Sequence, residues 1–183
     1  MLTDKSLRKL KRITEERWAK QSLNPIVYGF QFQRGTRWNP GLSADRIAEY
    51  ESVLGVRFPH DFRAFLSMMN GTDLPIVNIY GSCGEPAREA VGVYSYPRDI
   101  EIVKGRIEQI RASHVKITRD LAEHGYELPV EAGLVPIYGH RYLVCADLET
   151  SVVLSMVVDD TDAIVYANCL ADYLEREFLG PRL

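Results

Sequence analysis

The sequence predicts an α+β fold: one domain, with helices packed beside a mostly antiparallel twisted sheet. Three observations carry this. Residues 42–73 hold two capped helical periodicities, residues 134–166 hold four short apolar runs, and residues 168–178 return to helical spacing. The links between the four runs are only a few residues long. Such links make antiparallel hairpins, since a parallel crossover needs about a dozen residues or more. Helices grouped at either end of a meander are the α+β pattern. The 183 residues suit one such domain, which buries roughly 70% of its unfolded surface and needs no covalent staples.

The first element is a helix over 4–20, with Leu7, Leu10, Thr14 and Trp18 on one face. Its other face is basic, with seven cations against three carboxylates. Two readings follow: a solvated helix packed on the domain by its leucines, or a basic helix lying on an anionic membrane or partner. Asn24-Pro25 ends it, so residues 1–25 form an N-terminal helix and 26–183 the main domain. A short strand or extended arm follows at 27–32. Residues 33–41 read as a loop in which Trp38 is either a core plug or a contact anchor.

The two helices of 42–73 are the most legible part. Ser43 is an N-cap by its side-chain acceptor, and Ile47, Tyr50 and Leu54 form one face. Gly55 is the residue type that ends helices in the left-handed conformation. Pro59 suits the first position of the next helix, and Asp61 complements its dipole. Phe62, Phe65, Leu66 and Met69 form a wide apolar stripe, which Asn70-Gly71 closes. This stripe should lie on the sheet formed by the second half of the chain.

Strands are expected at 74–80 and 91–96, separated by a turn-rich loop that lacks the lysine of a phosphate-binding loop. Residues 99–125 carry the longest helical pattern, as one helix or two abutting ones, with His114 on the apolar face. Strands then fall at 134–138, 141–146, 152–158 and 163–166. Asn168 caps a last helix bearing Leu170, Tyr173, Leu174 and Phe178.

Composition narrows the function. A net charge of -3 argues against a nucleic-acid protein, which would show a basic face or high pI. Cys83, Cys145 and Cys169 are odd in number and widely spaced, which fits free thiols better than disulfides or zinc. No apolar run reaches the ~18 to 20 residues of a membrane span, and the N-terminus lacks the apolar core of a secretion signal. A cytoplasmic protein without a cofactor is expected. Catalytic patterns are weak. Cys83 or Cys145 would need the fold to bring it to His140 to make a nucleophile–base pair. Asp159, Asp160 and Asp162 lack the glycine and distal glutamate of a calcium loop. The four histidines show no paired spacing.

Residues 47–71, with Glu51, Leu54-Gly55, Phe58-Pro59-His60-Asp61-Phe62, Phe65-Leu66 and Asn70-Gly71, resemble the signature of the SUKH superfamily, the Smi/Knr-type domain. Phe58 stands where the family more often has leucine. Val135-Pro136-Ile137-Tyr138-Gly139-His140-Arg141-Tyr142-Leu143, then Val153-Leu154-Ser155 and Asp162-Ala163-Ile164-Val165-Tyr166, are similar to a bacterial branch of it. The resemblance covers about 26–180. It implies an α+β fold without a defining catalytic centre, and a non-catalytic role in binding a protein. In many bacterial members the resemblance implies an immunity protein, whose partner is a nuclease or other toxin domain that it neutralises; others are of unknown role. In the fungal member the role is regulatory, through an endogenous partner.

On that reading the exposed polar loop residues Glu85, His140, Asp147, Glu149, Asp159, Asp160 and Asp162 are candidates for partner binding, because acidic surface would steer a basic nuclease. Tyr138 and Arg141 join them as residue types that anchor interfaces, against the alternative that Tyr138 packs in the core and Arg141 pairs on its own sheet. The binding site is expected on the loops and an open sheet face.

Overall fold

A computed structural model describes residues 2–79, 88–149, 151–157 and 162–180. Helix α1 (Asp4–Trp18) starts at a reciprocal cap. Thr3 Oγ1 accepts the Ser6 N–H at 3.2 Å, and Ser6 Oγ accepts the Thr3 N–H at 2.9 Å. Strands β1 (Gly29–Phe32) and β2 (Trp38–Pro40) follow, then α2 (Ala44–Leu54) and α3 (His60–Met68). Ser43 accepts the Arg46 N–H and caps α2, and Gly55 ends it at φ 67°.

The link between α2 and α3 is fastened by Glu51, which is buried. Its carboxylate accepts the Phe58 N–H at 2.6 Å and Arg63 Nε at 2.9 Å, with a second guanidinium contact from Arg63 Nη2. Pro59 takes the cap position, one residue earlier than its sequence suggested.

The apolar stripe also ends sooner than its spacing implied. α3 stops at Met68, and Met69 opens strand β3 (Met69–Thr72), which pairs antiparallel with β2. Trp38 is therefore a strand residue, and it fills the core. β4 (Ile76–Ile79) lies between β1 and β5 (Arg88–Ala90), all antiparallel. Within 91–96, expected as a strand, the structure has only an isolated bridge from Val93 to Tyr138.

The long helical pattern is two abutting helices, α4 (Ile100–Ala112) and α5 (His114–Glu123). His114 is half-buried beside Thr118 and belongs to neither core.

Strands β6 (Gly133–Tyr138), β7 (Arg141–Cys145), β8 (Val153–Val157) and β9 (Asp162–Ala167) form the expected antiparallel meander in that order. Helix α6 (Leu170–Leu174) is capped at Cys169 rather than Asn168 and runs into a π-helical turn, Glu175–Leu179.

Both faces of the meander are largely covered, and what stays open is one end of β7–β9, where Arg141, Ser155 and Tyr166 are half-buried and Ile164 is exposed. Alternation divides its side chains. Leu134, Tyr142, Val144, Leu154, Met156 and Ala163 pack with Ile110, Ile117 and Leu121 of α4 and α5. Val135, Leu143, Cys145 and Val153 join a larger core with Leu7, Leu54, Phe62, Phe65 and Leu174. A bulge between Pro136 and Tyr138 puts Ile137 and Tyr138 on this same side.

The larger core is rich in aromatic rings. Trp18 stacks on Phe32 at 4.4 Å, Phe32 on Tyr138 at 5.7 Å, and Trp38 meets Phe65 and Phe178 edge-on. Arg17 also donates to the Phe178 carbonyl at 2.9 Å. The N-terminal helix is thus joined to the C-terminal turn, with its leucines buried, Lys11 and Arg17 half-buried on main-chain carbonyls and its other cations outward.

Candidate functional site

Among the described residues, those singled out from the sequence fall in separate places, His140 and Arg141 excepted. Tyr138 is 2% exposed and sits among Phe30, Phe32 and Phe178, so it is a core residue. Asp147 and Glu149 follow the C-terminal end of β7, at the opposite end of that strand from His140 and Arg141. There Asp147 accepts the Glu149 N–H, and Glu149 lies 3.6 Å from His60. Asp162 is exposed at the start of β9, two strands away from Arg141. Glu85, Asp159, Asp160 and Cys83 lie outside the described residues.

What the fold does gather is His140 and Arg141 with two parts of the chain that sequence reasoning passed over. They line an open cleft of about 830 Å³ together with Gln21, Asn24, Tyr28, Phe30, Gln31, Asn78, Arg176 and Glu177. That volume is in the range of ligand and side-chain pockets. The turn between β6 and β7 is a two-residue hairpin, Gly139-His140. Gly139 has φ 52°, and a β-carbon there would stand 2.7 Å from the Phe30 ring. Glycine thus lets β1 approach and sets His140 beside Phe30, ring centres 5.8 Å apart.

The opposite wall is the segment between α1 and β1. Its shape is fixed by the buried side chain of Gln31. The amide nitrogen donates to the Asn24 and Val27 carbonyls at 2.8 and 2.7 Å, and the amide oxygen accepts the Asn24 N–H at 2.8 Å. Asn24 Oδ1 in turn accepts the Ile26 N–H at 3.0 Å. This segment raises three apolar side chains into solvent: Tyr28 (56% exposed), which lines the cleft, and Leu23 and Ile26 (82% exposed), which flank lining residues in the chain.

The floor is electrostatic. Arg141 donates from Nη1 to Ser155 Oγ at 2.7 Å and from Nε to Glu177 Oε2 at 3.3 Å, and its guanidinium lies 3.8 Å from the Tyr166 ring centre. Arg176 also lies over that ring, at 4.9 Å, and donates to the Tyr166 carbonyl. Burial is the main force pushing the His140 imidazole down, to about 4, with the charges of Arg141 and Arg106 adding to it. His140 is therefore neutral at pH 7, and among the described lining residues the fixed charges are two guanidiniums and one carboxylate.

This arrangement is unlike a nucleophilic site. Cys145 is five strand residues from His140, ~17 Å at 3.3 Å per residue. Burial pushes the Cys145 thiol up to about 12, helped by Glu51 and Asp61. Among the described residues no group of three His, Cys, Asp or Glu side chains could hold a metal ion.

Arg176 and Glu177 were legible only as the polar face of a terminal helix. The one sequence signal for the wall was an aperiodic run of apolar residues around Asn24-Pro25. No curated protein matches the chain. A family model does match, over residues 41–176, from just before α2 to Arg176. It takes in the Glu51-fastened helix pair and the whole meander, leaving α1, β1 and the cleft wall outside. The chain therefore belongs to the SMI1 / KNR4 family (SUKH-1).

Proposed function

We propose that this protein is a non-catalytic, cytoplasmic binding domain of the immunity type, which neutralises a cognate toxin domain by occupying it. The observation that carries this reading is family membership over 41–176. The cleft supports it. It presents arginine and tyrosine, residue types that dominate binding energy at protein interfaces, beside exposed apolar side chains. Non-catalysis is supported by the separation of Cys145 from His140 and by the direction of both their pKa values. A protonated thiol is no nucleophile, and an imidazole of pKa about 4 is a weak base. Among the described residues no helix is long and apolar enough to cross a membrane.

Co-expression with a panel of bacterial toxin domains tests the reading. One toxin, or a closely related group, should lose its toxicity and co-purify with this protein. Protection against none of them, with an endogenous protein retained instead, would replace the immunity role by a regulatory one of the Smi/Knr type.

A further inference from the structure

The cleft wall, built from residues that precede the family match, gives the binding surface a definite chemistry. Arg141 already has a carboxylate partner in Glu177 and a hydroxyl partner in Ser155. Arg176 does not. It is exposed, its Nη1 holds only the Tyr166 carbonyl, and among the described residues no carboxylate pairs with it. Among the described residues that line the cleft, two guanidiniums and one carboxylate leave the floor with a net positive charge. The wall above it presents apolar Val27, Tyr28 and Phe30, and Ile26 stands exposed beside Val27 in the chain. The wall is also pre-shaped, because Gln31 ties its main chain in place.

We propose that this cleft is the partner-docking surface, and that its occupant is a protein segment with an acidic side chain flanked by apolar ones. The carboxylate pairs with Arg176 over the Tyr166 ring, while the apolar neighbours cover Ile26 and Tyr28. This deepens the binding role proposed above and rests on it for the occupant's being a protein. The charge logic is that of complementary interfaces, where opposite potentials fix register and reject wrong partners. A pre-shaped wall lowers the ordering cost of association.

The test uses the full chain and a phage-displayed library of random 12-residue peptides. Panning should enrich peptides that carry Asp or Glu beside Leu, Ile, Phe or Trp. Titrating the leading peptide should shift amide resonances of residues 21–31, 140–141 and 176–177. Arg176→Glu should weaken its binding at least tenfold, and Ile26→Ser with Tyr28→Ser should weaken it likewise. All these side chains are exposed, so an unchanged spectrum outside the cleft certifies the variants' fold. Peptides without acidic residues, shifts elsewhere, or binding indifferent to Arg176→Glu would each overturn the proposal, as would no enrichment at all. The peptide test is separate from the toxin test. Toxin neutralisation that survives Arg176→Glu sinks the cleft but leaves the function, while peptide binding without toxin protection leaves the cleft and sinks the immunity role.

Discussion

Replacing Glu51 by alanine strands the buried Phe58 N–H and frees Arg63, whose exposed guanidinium can turn to water, from its partner. The expected cost is about 2–3 kcal/mol, that of leaving a buried donor unmet, read as a lower urea midpoint with an unchanged slope. His140 makes a different statement. Its ring binds a proton near pH 4 in the folded protein and near 6.5 in an unfolded chain. Between those values the unfolded state holds more protons, so stability falls as the pH drops from 6.5 to 4 and is fully present above that window. His140→Gln should flatten that part of the stability curve, and a ring titration by NMR should find the depressed pKa directly. A ring that titrates at its ordinary value would refute the burial argument.

At the scale of elements, α1 is a structural member. Trp18 is 2% exposed and stacks on Phe32, which stacks in turn on Tyr138. Trp18→Ala should cost about 3–5 kcal/mol, as other large aromatic truncations do. Phe65→Asp should abolish cooperative unfolding, since it would bury a charge against Trp38. A soluble, cooperative Phe65→Asp protein would contradict the packing described.

Which elements were legible follows from where their stabilisation originates. α2 carries its own caps and the meander strands are short apolar runs with short links, so their existence could be read locally. β2 and β3 could not. Asn70-Gly71 has turn chemistry, Met69 continues a helical spacing, and Trp38 stands among Gly, Arg and Asn; only their mutual pairing makes them strands. The cleft divides the same way. His140 and Arg141 sit on a recognisable hairpin. Arg176 and the 21–31 wall reach them only through contacts far apart in sequence, such as Phe30 against His140.

At the scale of the whole molecule, the meander separates two cores while belonging to both. Tyr142 and Val144 face one, Leu143 and Cys145 the other, on a single strand. Neither core can open without disturbing the sheet that closes the other. The two tryptophans both report on the larger core. Leu154→Ala, in the smaller one, should destabilise by about 2–5 kcal/mol. It should shift tryptophan fluorescence and far-ultraviolet circular dichroism to the same new midpoint. Separate midpoints would mean that the cores unfold independently.

The amide of Gln31 reaches only main-chain atoms, those of Asn24 and Val27. Main-chain atoms are common to every residue type, so apart from Asn24, whose Oδ1 holds the Ile26 N–H, the contour of the segment does not depend on which side chains it displays. Leu23, Ile26 and Tyr28 can be exchanged over evolutionary time while the scaffold beneath them stays as it is. The docking surface proposed above can thus be altered at those three positions, much as antibody loops are altered on a constant framework, without refolding the domain that carries it.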